Sequence, residues 1–398
     1  MMAHHQVIVV GGGTAGLAVA ALLRNQENPP EVAIIEPSDK HYYQPIWTLV
    51  GGGVFDRSIS EKNEEDFIPE GATWIRDYVE SFDPANNTVT TRDGTTYSYD
   101  YLVVAAGIQI NWDLIPGLKE SVMKPGTGVC SNYSYDTVSY TWENLKNLKS
   151  GRAIFTQPNT PIKCGGAPQK IMHLTCHYLQ KNNRDKDVEV VFASAGGGMF
   201  AVEKYKKSLD KIVKRNGVNT KFGHNLVALD PENKKATFEV LASGEKVEME
   251  YDMIHVTPPM GPPDFIKNSP LAADTGWISV DKFTLQSTKF DNVFSLGDCS
   301  NLPTSKTGAA IRKQAPTLVA NLNAAMANKP LPAAYDGYTS CPLVTGYGRL
   351  ILAEFDYNKQ PMESFPFDQS QERYSMYALK AYALPNLYWH GMLKGRKF

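Results

Sequence analysis

Long apolar runs are missing from this sequence. No stretch of about 18 consecutive apolar residues occurs, which excludes a membrane-spanning helix. An excess of either charge is missing too: 40 Lys and Arg face 42 Asp and Glu, a formal net charge of -2. Nothing in that balance points to nucleic acid. Cysteine is scarce. Cys130, Cys164, Cys176, Cys299 and Cys341 are odd in number, dispersed and without a CxxC. That pattern fits neither a secreted disulfide framework nor a zinc ribbon. In a reducing compartment, a disulfide in such a chain points to catalysis before structure. The amino end carries nothing like a signal peptide or an Arg-rich presequence; Met1-Met2-Ala3-His4-His5 leads straight into a strand. What remains, at 398 residues and 42% hydrophobic, is a globular chain of about two to three domains.

What is present begins with Gln6-Val7-Ile8-Val9-Val10, a short apolar strand. Gly11-x-Gly13-x-x-Gly16 follows, then a helical stretch to Arg24, then a second strand, Glu31 to Ile35, that ends at Glu36. Each part has a physical task. Gly11 permits the tight turn, Gly13 lets the backbone approach a pyrophosphate, and Gly16 lets the helix pack on the sheet. The helix amino end holds the phosphates. Glu36, 25 residues after Gly11, accepts hydrogen bonds from ribose hydroxyls. The strand, turn, helix and acid together predict a dinucleotide site.

Two later segments separate FAD from NAD. Tyr101 to Gly107 is a strand ending in small residues, and Asn292 to Asp298 is a strand ending in Gly-Asp. Both resemble paired segments of two-dinucleotide-domain flavoproteins. That resemblance assigns the Asp298 carboxylate to the flavin ribityl chain and Gly107 to the small-residue turn. Pro303 to Thr307 opens a helix expected to run to about Ala327, whose positive end favours a reduced, anionic flavin. Lys306 would add a charge there. A second α/β unit contains the strand Val188 to Phe192 and a GxGxxA-like run, Gly196 to Ala201. The strand after it, Val218 to Phe222, lacks a ribose-binding acid, so this unit is read as a relic that does not bind NADH.

Cys164 sits in Asn159-Thr160-Pro161-Ile162-Lys163-Cys164-Gly165-Gly166-Ala167-Pro168-Gln169-Lys170. Pro and Gly-Gly make this a turn. A cysteine on such a turn is a thiol that something must approach. This segment, with His41 to Val50, Val256 to Met260 and Tyr338 to Tyr347, resembles sulfide:quinone oxidoreductase, most of all the mitochondrial, animal-type enzyme. The resemblance runs from Val7 to about Leu393. It implies an α/β fold with two Rossmann-like dinucleotide-binding domains of the disulfide-reductase type, and a C-terminal helical segment on a membrane surface. The domains implied are 1–113 with 286–335 for FAD, 114–285 for the second Rossmann-like unit, and 336–398 for the C-terminal segment.

The resemblance also implies a reaction: hydrogen sulfide is oxidised to sulfane sulfur, and two electrons pass through FAD to a ubiquinone-type quinone. Cys164 and Cys341 match the family's redox pair. Cys341 would carry the persulfide, Cys164 would be the thiolate facing the flavin, and Gly165 and Gly166 would let both approach. A small acceptor such as glutathione or sulfite would remove the sulfur. The implied location is the mitochondrion, peripheral to the inner membrane. Cys176 and Cys299 are read as inert, Cys130 is left outside the redox pair with its role open, and a metal at His173 and His177 is disfavoured. The competing readings are a type II NADH:quinone reductase, a flavocytochrome-type sulfide dehydrogenase and a non-catalytic FAD-binding signalling protein.

The carboxyl end supplies the expected membrane contact. Met376, Leu379, Ala383, Leu384, Leu387, Tyr388 and Met392 recur at helical spacing, with Pro385 as a break between two short helices. Tyr382, Tyr388 and Trp389 suit the headgroup level, and Lys394, Arg396 and Lys397 suit anionic lipid. On this reading a chain ending at Gln371 keeps sulfide-dependent flavin reduction. The alternative is that these helices pack on the body of the protein.

Overall fold

The computed structural model describes residues 2–396. Strand β1 (Ala3–Val10) is apolar along its second half and forms the centre of a seven-stranded sheet. On one side β1 pairs in parallel with β2 (Val32–Ile35), Val9 opposite Ile34. On the other it pairs with β3 (Thr96–Val104), Val9 opposite Val103. The returning segment Val293–Ser295 adds in parallel to β3, opposite Leu102 to Val104. Helix α1 (Thr14–Arg24) packs on this sheet through Leu17, Val19, Ala20 and Leu23, all buried. Strands buried on both faces read as continuous Val and Ile runs, which is what β1 and β2 show.

A second sheet has five parallel strands in the order Val129–Cys130, Met253–His255, Gly151–Gln157, Val188–Ser194, Asn219–Phe222. Helix α2 (Ala167–Lys181) packs over it. The expected α/β plan is therefore the observed one. A helix α3 (Gly308–Met326) runs back against α1, capped by the Thr307 hydroxyl, which accepts from the Ala310 amide at 3.2 Å. The chain then forms an antiparallel hairpin, β4 (Thr339–Gly346) and β5 (Arg349–Phe355), with Cys341 opposite Ala353.

The carboxyl end departs from expectation in two ways. It is not broken at Pro385. The chain stays helical through Tyr374–Ala378, a π-helical turn Leu379–Ala383, and α4 (Leu384–His390). Pro385 falls in the first turn of α4, where its missing N–H is tolerated, and the π turn takes up the misfit. Nor do Tyr388 and Trp389 face outward: both are buried, Trp389 against Phe67 at 5.1 Å and Tyr388 against Tyr43 at 4.6 Å. Leu393 is fully buried. The exposed apolar residues of this region are Tyr374, Tyr382 and Leu387. Lys394 reaches the carbonyl of Asp66 and lies over Phe67, while Lys397 lies outside the described residues. Among the described residues no helix is long and apolar enough to cross a membrane.

Candidate active site

The turn between β1 and α1 is shaped by its glycines. Gly11 has φ +101°, and a Cβ there would meet the Ala105 carbonyl oxygen at 2.6 Å. A Cβ on Gly16 would collide with the Gly11 backbone. Gly13 differs: a Cβ would meet no atom within 4 Å, so its outer side is an open cradle. Gly107, with φ +72°, is equally open. The half-buried Glu36 carboxylate accepts from the Gly12 amide at 2.7 Å and the Ser38 amide at 2.8 Å. Burial pushes its pKa up, against the pull of those amides. The residues present therefore fit the adenosine and pyrophosphate end of FAD.

At the other end, Asp298 lines a cleft with Gly297, Thr304, Lys306 and Thr307 at the amino terminus of α3. Burial raises its pKa, and the charges of Lys306 and Lys163 oppose that rise. Lys306 lines the same cleft. Its ammonium donates to the carbonyls of Asp298 at 2.6 Å and Ser300 at 3.0 Å and lies 3.9 Å from the Trp277 ring centroid. It holds the Asp298 loop and brings its charge beside the Asp298 carboxylate.

Cys164 joins this end directly, because its neighbour Lys163 forms a parallel bridge with Lys306. Cys164 itself has φ +89°, a conformation rare for any residue but glycine and concentrated at functional sites. The turn delivers its thiol to the amino end of α2. Cys341 projects from β4, and the two Sγ atoms lie 3.1 Å apart. Gly166 makes room: a Cβ there would stand 2.7 Å from the Cys341 sulfur.

Two lysines that the sequence reading did not single out complete the site. Lys170, buried in the first turns of α2, donates to Cys164 Sγ at 3.3 Å. Lys380, buried in the π turn, donates to the Pro45 carbonyl at 2.9 Å. Cys164 is held well below its ordinary pKa by the hydrogen bond from Cys341, with Lys170 and Lys380 adding to the pull against burial. Cys341 is pushed well above, by its hydrogen bond to Cys164 and by burial. The pair is thus uneven, with Cys164 the more acidic sulfur and the one beside the Lys170 ammonium. Burial alone would lower Lys170, but the two sulfurs outweigh it and its pKa rises. Lys380 falls to about 7, through burial first and the charge of Lys170 second. One signal for Lys170 was available: a cation near a helix amino end opposes the dipole and asks for an anion beside it.

The remaining cysteines do not join the pair. Cys130 and Cys176 are buried, and burial pushes both up to about 12. Cys299 is buried, with Ser295 and the Val104 carbonyl as partners. His177 accepts from the Tyr347 amide at 2.9 Å and His173 is fully buried; among the described residues no metal-ligating cluster occurs. After the strand Val188–Ser194, the glycine run is irregular and the next helix starts only at Glu203. Phe200 packs edge-on against Phe355 at 5.7 Å, which brings β5 beside the end of that glycine run.

A family profile described as pyridine nucleotide-disulphide oxidoreductase matches residues 5–137 and 176–321. Cys164 and Cys341 both lie outside those spans, in what distinguishes this chain from the general flavoprotein frame. The mitochondrial sulfide:quinone oxidoreductase of Dictyostelium discoideum is 55% identical over 99% of this chain and 87% of that protein. The mouse mitochondrial sulfide:quinone oxidoreductase is 48% identical over 98% of this chain and 87% of that protein. The crystal structure of the Aquifex aeolicus sulfide:quinone oxidoreductase superposes with a TM-score of 0.84 at 19% identity, covering 99% of this chain and 92% of that one, which shows a shared fold. At the identity and coverage of the first two, the relationship is that of one family: the chain belongs to the sulfide:quinone oxidoreductases.

Proposed function

We propose that this chain oxidises hydrogen sulfide at the Cys164–Cys341 pair and passes two electrons through FAD to a quinone. The observation that carries the assignment of the pair is the 3.1 Å approach of the two sulfurs beside the Lys170 ammonium. Hydrosulfide attacks Cys341 Sγ of the oxidised pair. The S–S bond breaks, a persulfide forms on Cys341, and Cys164 departs with the bonding electrons as a thiolate. The direction follows from acidity, because the sulfur of lower pKa is the better leaving group, and Cys164 is that sulfur. Lys170 stabilises the charge that develops there. A nucleophilic acceptor such as glutathione or sulfite removes the outer sulfur and leaves a second thiolate on Cys341. When bound, FAD accepts the two electrons released as the two sulfurs rejoin, and hands them to the quinone.

The reading as a type II NADH:quinone reductase is not favoured. It leaves the cysteine pair without a purpose. The flavocytochrome-type and signalling readings have no feature here that prefers them.

The relatives named above are mitochondrial, and this chain is assigned to the same organelle. A peripheral position on the inner membrane is the further step, with a ubiquinone-type quinone as acceptor. What supports it is the apolar face of the C-terminal helices. Tyr382 and Leu387 are exposed, and Tyr382 extends the face to Phe55 in an edge-on contact at 6.0 Å. A rim of this kind suits a lipid surface. The experiment for the pair is substitution. Cys164→Ser and Cys341→Ser should each retain FAD and lose sulfide oxidation by orders of magnitude, while Cys130→Ser and Cys176→Ser stay active. An active Cys341→Ser enzyme would overturn the assignment.

A further inference from the structure

Tyr388, on α4, meets Thr14 across 374 residues of sequence, its phenol oxygen 2.7 Å from the Thr14 hydroxyl. The same oxygen lies 2.6 Å from His41 Nε2, and His41 Nδ1 lies 2.9 Å from Glu64 Oε2. His41, Glu64 and Tyr388 are all buried. The second Glu64 oxygen, Oε1, has no partner among the described residues and stands 2.5 Å from where a Cβ on Gly12 would be. Glu36 approaches Gly12 as well, through its amide. Two carboxylates, Glu64 buried and Glu36 half-buried, therefore bracket the turn that opens α1.

Thr14 is the first residue of α1, directly after the open cradle at Gly13. A buried polar oxygen without a partner is costly in a finished fold, and this one lies beside the turn that receives the dinucleotide. His41 bridges Glu64 through Nδ1 and Tyr388 through Nε2, and the Tyr388 hydroxyl carries the chain of hydrogen bonds on to Thr14. The order resembles the way a carboxylate fixes a histidine tautomer behind a metal ligand.

We propose that Tyr388, His41 and Glu64 are positioning residues of the dinucleotide cradle, and that the C-terminal helix is part of the FAD site. The chain of bonds pins the first turn of α1 from behind, so its amides and the Thr14 side chain are set before the pyrophosphate arrives. Preorganisation of this kind shows as affinity. The expectation that the segment after Gln371 is dispensable for flavin chemistry is thereby reversed. The proposal rests on the cradle reading of Gly11 to Gly16.

The test is FAD binding to flavin-stripped full-length protein, followed by fluorescence quenching, with the melting temperature of the stripped protein recorded in parallel. Tyr388→Phe keeps the ring and removes one hydroxyl. It should raise the FAD dissociation constant roughly tenfold, the scale of one buried hydrogen bond. The stripped protein should melt within a few degrees of the parent. Thr14→Val should weaken FAD similarly, and the double variant should be little worse than the singles, because the two hydroxyls act as a unit. An unchanged constant in Tyr388→Phe overturns the proposal. So does a lower melting temperature with unchanged FAD affinity, which would make Tyr388 a packing residue. Gly13→Leu separates the two layers: it should abolish FAD binding, and if it does not, the cradle reading itself fails.

Discussion

Lys170 Nζ lies 3.3 Å from Cys164 Sγ, in a pocket where both groups are shut away from most solvent. A buried ammonium without a partner is strongly disfavoured, as is a buried thiolate. Each makes the other tolerable, and the hydrogen bond from Cys341 completes the arrangement. The asymmetry of the pair follows first from the hydrogen bond between the two sulfurs, with Lys170 adding to the pull on Cys164: Cys164 is the acidic sulfur and Cys341 the reluctant one.

Removal of the lysine should therefore change thiol chemistry before it changes anything else. In the reduced, flavin-loaded enzyme, alkylation by iodoacetamide should be fast at Cys164 well below pH 9 and slow at Cys341. Lys170→Met should shift the Cys164 profile upward and slow its alkylation at pH 7 by roughly tenfold, for each pKa unit gained. Peptide mapping of the labelled sites gives the measurement. Equal rates at the two cysteines in the parent enzyme would contradict the asymmetry.

Lys380 makes a prediction about stability. Its pKa falls from an ordinary 10.5 to about 7 in the folded chain. Between those values the unfolded chain holds a proton that the folded chain does not, so stability rises with pH across that window. Below pH 7 both states are protonated and the cost of the buried charge is felt in full. Lys380→Met should therefore melt higher than the parent at pH 6 to 7, and the gap should close as pH approaches 10, by about 1 kcal/mol per unit. A gap that does not vary with pH, or one of opposite sign at pH 7, would contradict this. Sulfide oxidation should fall in the same variant at pH 6 to 7, where Lys380 still adds its charge to the pull on Cys164.

The membrane face is tested by substituting only what is exposed. Tyr382→Ser with Leu387→Ser should leave FAD content and sulfide-dependent bleaching unchanged, yet weaken cosedimentation with liposomes severalfold and raise KM for a long-tailed quinone. Binding to liposomes equal to that of the parent would place the membrane contact elsewhere.

Much of this site was legible in the sequence, and what was missed has physical reasons. The turn at Gly11 to Gly16 and the acid at Glu36 are local: strand, turn and helix are contiguous, so spacing alone places them. Cys164 lies on a turn and Cys341 on β4, far apart in sequence, and resemblance rather than periodicity paired them. Lys170 carried a signal in its place near a helix amino end, but Lys380 carried none. Lys380 sits in an amphipathic stretch where a lysine normally reaches for water, and only the packing of that stretch on the body turns it inward. Tyr388 and Trp389 were misread on the same grounds: a ring with a polar tip suits a lipid interface and a hydrogen-bonded core equally well, and helical spacing does not say which. Lys306 was legible as a charge near a helix start, while the carbonyls that hold it belong to the loop before that helix.

The most direct test of the central claim is an anaerobic titration of the purified, FAD-loaded protein with sulfide. One equivalent, added with an excess of sulfite to take the outer sulfur, should bleach the flavin band, and a short-tailed quinone should then restore it. Cys341→Ser should stay yellow throughout, and NADH should leave the band unchanged. Rapid bleaching of that variant by sulfide, or of the parent protein by NADH, would contradict the account.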